Sequence, residues 1–309
     1  MKKPGFKKRK VNESGKKYPL ERSPLYNLKS KKKLSALLGI DRKSLLQLTS
    51  SGKPCYREFD HEKTGRHIEE PICSLRPVHH KLATFLRRIE TPNYLHSDVC
   101  GRSNIDNARF HIDARELYKT DLRSYFPSTT RSYVFDLFYN LFKCSPDVSD
   151  ALSRLSTVND HVPTGSQLSS ILTFWSNIRL FEDLLSIATE HKCRFTVFVD
   201  DLVFSGDVIS TELPKQVQRT ILLHGRRAKK KKTIKYGQGA TKIVTGVAIK
   251  NSELLAPNSR LKKYREHRTS FRALSSKDKK IGLKNSMVGQ LNSLGAIDEK
   301  YKEMSKRIL

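Results

Sequence analysis

Asp200 and Asp201 are the residues whose placement asks for a chemical explanation. They lie between Arg194-Phe195-Thr196-Val197-Phe198-Val199 and Leu202-Val203-Phe204-Ser205-Gly206, two runs of β-branched and aromatic residues that read as the arms of a β-hairpin. On its own, an Asp-Asp turn needs no ligand, because aspartate makes Asx-turns and tolerates unusual dihedrals. Here both arms are strongly apolar and expected to be buried, and two carboxylates at a buried tip repel each other. A divalent cation neutralises them. A third carboxylate is available at Asp121, in Leu117-Tyr118-Lys119-Thr120-Asp121-Leu122-Arg123-Ser124-Tyr125-Phe126-Pro127-Ser128, after a short strand-like run. With it, the site becomes a candidate two-metal centre for phosphoryl transfer.

The whole chain is compatible with that chemistry. Its 309 residues suffice for two or three subdomains around a real core. A net charge of +28 says little about fold and much about partners, pointing to a polyanion such as nucleic acid or an anionic surface. No apolar run approaches the ~20 residues that span a bilayer, and Met1-Lys2-Lys3-Pro4 is not followed by the apolar segment of a secretory signal. The five cysteines, Cys55, Cys73, Cys100, Cys144 and Cys193, form no CxxC pair, which argues against structural zinc and for free thiols in a reducing, cytoplasmic compartment.

The elements that must position the aspartates can be followed along the chain. Residues 1–33 carry thirteen Lys/Arg against two acids, broken by prolines and glycines, and read as a flexible cationic arm. Leu34, Leu37, Leu38 and Ile40 predict a short helix, Asp41 caps a second one through Leu48, and Gly52-Lys53-Pro54 stops it. Tyr56 to Phe59 and Arg66 to Pro71 read as a basic hairpin with a turn at Lys63-Thr64-Gly65. Such a hairpin could cover a bound triphosphate, although an ordinary exposed hairpin has the same pattern. Residues 76–91 predict an amphipathic helix, 133–142 an aromatic-rich helix whose Phe135, Phe138, Tyr139 and Phe142 are expected in the core, and 171–187 one long apolar helix. The polar loop Thr164-Gly165-Ser166-Gln167 feeds that helix and could approach a base or phosphate, or merely cap it. Residues 211–223 predict a helix, Gly225 to Thr233 form a dense cationic block, and Ile243 to Ile249 read as one strand. From 257 onward the chain is helical and basic, with fourteen Lys/Arg against five acids.

Asp121 with Phe126, followed by Phe198-Val199-Asp200-Asp201, resembles the palm motifs of reverse transcriptases. From about Leu34 to Leu309 the chain looks like a retron-type enzyme of that class. Asn107-Ala108-Arg109-Phe110-His111 is similar to the retron NAxxH motif, and Val244-Thr245-Gly246 to the retron VTG motif beyond the catalytic palm. The chain departs from the pattern at Phe198 and Val199, where Tyr and Ala are usual, at Thr164 to Gln167, where Gln-Gly-Ala-Pro is common, and at Lys229, where Asn is usual.

The resemblance implies an α+β right-hand polymerase fold. Its fingers would span 34–115, a palm of antiparallel sheet backed by helices 116–250, and a basic helical thumb 251–309. The activity implied is RNA-directed DNA synthesis. Asp121, Asp200 and Asp201, with the backbone carbonyl of Leu122, would hold two Mg²⁺ ions. Lys232 would neutralise or protonate the leaving pyrophosphate. Phe126 would act as the steric gate that selects deoxynucleotides, and Arg66, Gly165 and Gln167 would contact the nucleotide. Nucleic-acid contacts would fall to Asn107, His111, Val244, Thr245 and Gly246, and in the thumb to Lys262, Lys263 and Arg265. A retron enzyme primes from a guanosine 2′-hydroxyl in its own structured RNA, yields branched RNA-linked DNA (msDNA), and serves antiphage defence beside a separate effector protein. With no RNase H region visible, removal of template RNA would fall to a host RNase H.

Rival readings predict other features. An intron-type enzyme is expected to carry a long region past the thumb, which this sequence lacks, and an abortive-infection type enzyme is a further possibility. A non-catalytic basic RNA-binding scaffold is expected to have lost at least one of Asp121, Asp200 and Asp201, and all three are present.

Overall fold

The computed structural model describes residues 17–50, 55–62, 64–274 and 277–308. Residues 1–16 of the basic arm, the stop at Gly52-Lys53-Pro54, and Lys63 of the expected turn lie outside the described residues. The structure is a mixture of helices and antiparallel sheets, as an α+β chain requires.

Residues 17–33 depart from the expectation of a flexible arm. Tyr18 forms a bridge to Ile89, a 3₁₀ turn covers Leu20–Arg22, and Leu25 is fully buried. Helix α1 (Lys31–Leu38) starts at the side chain of Ser30, which accepts from the Lys33 N–H, and ends at Gly39, whose φ of 70° a residue with a Cβ adopts poorly. Helix α2 (Arg42–Thr49) is capped by Asp41, which accepts from Ser44 N at 2.7 Å. Strands β1 (Tyr56–Asp60) and β2 (His67–Pro71) form the expected hairpin, and α3 (Leu75–Arg87) buries Val78, Leu82 and Leu86 on one face. Helix α4 (Asn104–Phe110) opens with a capping box of Ser103 and Asp106. Strand β3 (Glu116–Asp121) carries the first aspartate.

Beyond it, α5 (Arg131–Asp136) runs on as one π turn over Leu137–Leu141. Phe138 and Phe142 are core residues as expected, whereas Tyr139 is 43% exposed. Helix α6 (Pro146–Ser156) has no counterpart among the expected helices. Its start signal is plain in Pro146 and Asp147, but Ser149, Ser153 and Ser156 on the buried side dilute the apolar stripe. The long helix expected over 171–187 is two, α7 (Ser169–Ser176) and α8 (Ile178–Glu190). Asn177 breaks it by donating from its side-chain amide to Thr173 O at 2.7 Å, the carbonyl that a continuing backbone N–H would have taken.

Strands β4 (Arg194–Phe198) and β5 (Asp201–Gly206) are the predicted arms. Helix α9 (Glu212–Leu223) and a 3₁₀ turn over Lys230–Lys232 lead into β6 (Ile234–Tyr236). The single strand expected at 243–249 is a hairpin. Thr245 and Gly246, with φ of 43° and 77°, turn the chain between β7 (Lys242–Val244) and β8 (Val247–Lys250), which then pairs with β9 (Glu253–Leu255). Helices α10 (Asn258–Ala273), α11 (Lys277–Leu294) and α12 (Lys300–Lys306) complete the chain.

Two compact units emerge, and their boundaries do not follow a division at 115 and 250. The first joins residues up to 93, 98–100 and 123–182, and holds α1–α3, the β1–β2 hairpin and α5–α7. The second joins 94–97, 101–122 and 183–309. It holds a four-stranded antiparallel sheet in the order β4-β5-β3-β6, the β7-β8-β9 sheet and α9–α12. Leu117 and Val203 on one face of the first sheet pack with Ile105 and Ala108 of α4 and with Val244, Val247 and Ile249 of the second. Tyr264, Met287 and Leu291 join the last three helices.

Candidate active site

The three aspartates meet at one end of the four-stranded sheet. In the register of β3 and β5, Asp121 stands opposite Asp201. The neighbouring Leu122 N–H donates to Asp200 O at 2.9 Å, so the Asp121–Asp201 pair is of the non-hydrogen-bonded kind. In such a pair the Cα atoms approach to about 4.5 Å and the side chains share a face. Asp200 and Val199 form the two-residue turn, because Phe198 pairs with Asp201. Val199 has φ 58°, a left-handed conformation that a β-branched side chain resists.

Asp121 is buried, with 1% of its side chain exposed. Its Oδ2 is ion-paired to Lys232 Nζ, while its Oδ1 has no hydrogen-bond partner and has Lys229 Nζ 4.0 Å away. The Lys229 backbone N–H donates to Asp121 O at 2.7 Å, which fixes the cationic block beside the carboxylate. Burial pushes the Asp201 carboxyl up to about 6, with repulsion from Asp200 and Asp121 adding to it and Lys232 and Lys119 opposing. Burial also raises Asp200, reinforced by the charge of Asp121. For Lys232 burial acts downward, but its bond to Asp121 and the charges of all three aspartates outweigh it, and its pKa is raised.

Among the described residues, no three His, Cys, Asp or Glu side chains already form a metal cluster. The donor set nevertheless suits a hard cation. It offers carboxylate oxygens on one face, an orphaned buried oxygen on Asp121, and aspartates whose pKa values are raised by burial and by the charge of neighbouring aspartates.

The other expected site residues fall in several places. Lys262, Lys263 and Arg265 are exposed on α10. Thr245 clasps the start of α4, donating to Asn104 O at 2.7 Å and accepting from Asn104 Nδ2 at 3.1 Å. Gly246 forms the same turn and Val244 is in the core. Asn107 and His111 are fully buried, which corrects the expectation that they touch nucleic acid. A side chain with no exposed surface cannot meet a polyanion laid on the protein. His111 instead bridges Ser205 Oγ at 2.6 Å and Thr196 Oγ1 at 2.7 Å, fastening α4 to β4 and β5. Burial, with the nearby His96 and Arg194, depresses its pKa to about 3 and keeps it neutral. The same reason, burial, removes Val244 as a direct contact.

The proposed nucleotide contacts lie in the first unit. Phe126 is half-buried, its ring 5.6 Å from that of Tyr125. Arg66 is exposed just before β2. Gly165 N–H donates to Glu69 O at 3.0 Å, tying the loop to β2, and the carbonyl of the exposed Gln167 accepts from Arg87 at 2.9 Å. Lys119 enters the aspartate site from the structure alone, since nothing in its sequence surroundings distinguishes it from other lysines, and Lys229, marked in the sequence only as a departure from the family pattern, stands beside Asp121.

No family model matches the chain. Curated proteins do. The Retron Se72 reverse transcriptase of Salmonella heidelberg is 34% identical over 202 residues, covering 62% of this chain and 52% of that protein. The Retron Mx65 reverse transcriptase of Myxococcus xanthus is 28% identical over 213 residues, covering 62% and 48%. The Retron Ec48 reverse transcriptase of Escherichia coli is 20% identical over 318 residues, covering 94% and 77%. The chain is similar to these retron reverse transcriptases. It spans about half the length of the first two of these relatives. The likeness to retron reverse transcriptases read from the sequence motifs is thus borne out by sequence similarity, over 62% of the chain for the first two of them.

Proposed function

We propose that the chain is the RNA-directed DNA polymerase of a retron. It would reverse-transcribe a cognate structured non-coding RNA from a guanosine 2′-hydroxyl and leave RNA-linked single-stranded DNA, msDNA. The observation that carries this reading is the pairing of Asp121 with Asp201 at the sheet end, beside the Asp200 turn and with Lys232 held on Asp121. The retron reverse transcriptases among its relatives support it.

Asp121, Asp200, Asp201 and the carbonyl of Leu122 would hold two Mg²⁺ ions. Bound there, the metal would supply Lewis-acid activation of the primer hydroxyl and neutralise charge on the nucleotide phosphates. Lys232, whose proton is held by the surrounding carboxylates, is suited to leave Asp121 for the pyrophosphate group and donate to it. Phe126 is assigned as the sugar gate from its place five residues after Asp121. Arg66, Gly165 and Gln167 are assigned to the incoming dNTP, and Lys262, Lys263 and Arg265 to the RNA backbone. A separate effector protein in antiphage defence, a host RNase H and a cytoplasmic setting complete the proposal. None of the helices among the described residues is long and apolar enough to cross a membrane.

The test is to express the chain with its native flanking DNA and treat the co-purifying nucleic acid separately with RNase and DNase. Short DNA joined to RNA through a branch, and absent with Asp200→Ala, is the expected result. Bound RNA that never carries DNA would favour the scaffold, and DNA without a branch another class of reverse transcriptase.

A further inference from the structure

The Val199–Asp200 turn has to hold a β-branched residue at φ 58°, and such a conformation persists only where the surroundings over-determine it. The hairpin fixes it from two sides, through the Phe198–Asp201 pair and the bond from Leu122 N–H to Asp200 O. A third restraint comes from a segment far away in sequence. Residues 94–97 run alongside β4. The Val197 N–H donates to Tyr94 O at 2.8 Å, the His96 N–H donates to Val197 O at 2.9 Å, and Leu95 and Val197 form a parallel bridge. At the end of this lash, Ser97 is buried and its Oγ accepts the Val199 N–H at 2.9 Å. Among the described residues no other hydrogen bond takes that N–H, because Val199 lies in the turn, beyond the last ladder pair of the hairpin.

We propose that Ser97 is a positioning residue for the catalytic aspartates: its hydroxyl locks the strained Val199 and so fixes the direction in which Asp200 and Asp201 leave the turn. The inference rests on the polymerase reading for its consequence, and on the hydrogen bond alone for its structural half. A serine is suited to this place because its short side chain brings an acceptor close to the backbone. Alanine leaves the half-buried N–H without its side-chain partner, and the turn is then free to relax. Threonine keeps the hydroxyl. Glycine at 199 needs no lock, since it adopts positive φ at no steric cost.

Two readouts test it on the full chain with its RNA. Hydrogen–deuterium exchange of the peptide holding residues 198–201 should be slow in the parent, faster in Ser97→Ala and slow again in Ser97→Thr. Single-nucleotide incorporation should fall in turnover by about tenfold in Ser97→Ala, with RNA affinity unchanged, and recover in Ser97→Thr and in Ser97→Ala/Val199→Gly. Rescue by the double variant separates positioning from a general loss of stability, which a second substitution would deepen. Unchanged exchange in Ser97→Ala, or changed exchange with unchanged incorporation, overturns the proposal. A parent that shows the expected exchange pattern but never incorporates a nucleotide overturns the polymerase reading and leaves the lock in place.

Discussion

Asp121, Asp200 and Asp201 stand together because strand register leaves them no alternative, and the charge they accumulate is only partly met by Lys232, Lys229 and Lys119. Elsewhere the chain buries titratable groups in neutral form. Burial lowers His79 and His96 to about 4 and His111 to about 3, against an ordinary value of 6.5. The sign follows directly. Unfolded histidines take up protons as the pH falls below 6.5 and the folded ones do not, so the stability they contribute is full above 6.5 and is lost toward pH 4. Asp200 and Asp201 act the other way, since their raised values favour the folded state at low pH and that gain is lost as the pH rises, for Asp201 through about 6. Urea unfolding between pH 7 and 4 should therefore show stability declining with acid, and His111→Gln should flatten the dependence by about one proton. An identical slope in the variant would mean that His111 is protonated in the fold. Phe126 makes a different kind of claim, one of selectivity. Phe126→Ala should raise ribonucleotide incorporation relative to deoxynucleotide by at least about tenfold if its half-buried ring excludes the 2′-hydroxyl. An unchanged ratio would remove Phe126 from that role.

The elements show why some of this was legible in the sequence and some was not. Runs of β-branched and aromatic residues marked β4 and β5, and the capping aspartate marked α2, since these signals are local. The turn between β7 and β8 was lost in an apolar run because Thr245 is an unusual residue at positive φ and only Gly246 announced it. The break at Asn177 depends on a side-chain bond to Thr173, and the jobs of Asn107 and His111 depend on what folds over them. Likewise the carboxylates were visible as residue types, while their facing pair and the lysine on Asp121 are products of register. Gly165 gives a test at this scale. A Cβ there would lie 2.7 Å from Glu69 O and 2.8 Å from Ile68 Cγ2, both on β2. The loop also engages β2 through Thr164, whose Oγ1 donates to His67 O and accepts from Glu69 N. Gly165→Ala must part loop from strand, at a cost of about 1–3 kcal/mol. Its melting temperature should fall by several degrees in calorimetry, and an unchanged one would show that β2 yields easily.

For the whole molecule, charge is the dominant property. A net +28 on 309 residues opposes compaction by self-repulsion and suits the polyanionic partner of the proposed function. Part of it is spread over α10, where Lys262, Lys263 and Arg265 are exposed on a helix that Tyr264 anchors to α11 and α12. Lysine and arginine grip phosphates by releasing condensed counterions, so affinity for RNA should fall linearly in a plot of log K against log salt. Each phosphate contact contributes about 0.7 to 0.9 to that slope. The three-fold variant Lys262→Ala/Lys263→Ala/Arg265→Ala leaves Tyr264 and the packing of the helices intact. It should reduce the slope by roughly two to three, with a loss of affinity that is larger at low salt than at high salt. Filter binding across a series of potassium chloride concentrations reads both quantities. If α10 holds the RNA backbone, the two lines converge as salt rises, because the contacts removed are the ones salt was already dissolving. Parallel lines would mean that the variant lost something other than phosphate contacts, and coincident lines that the RNA lies on another face.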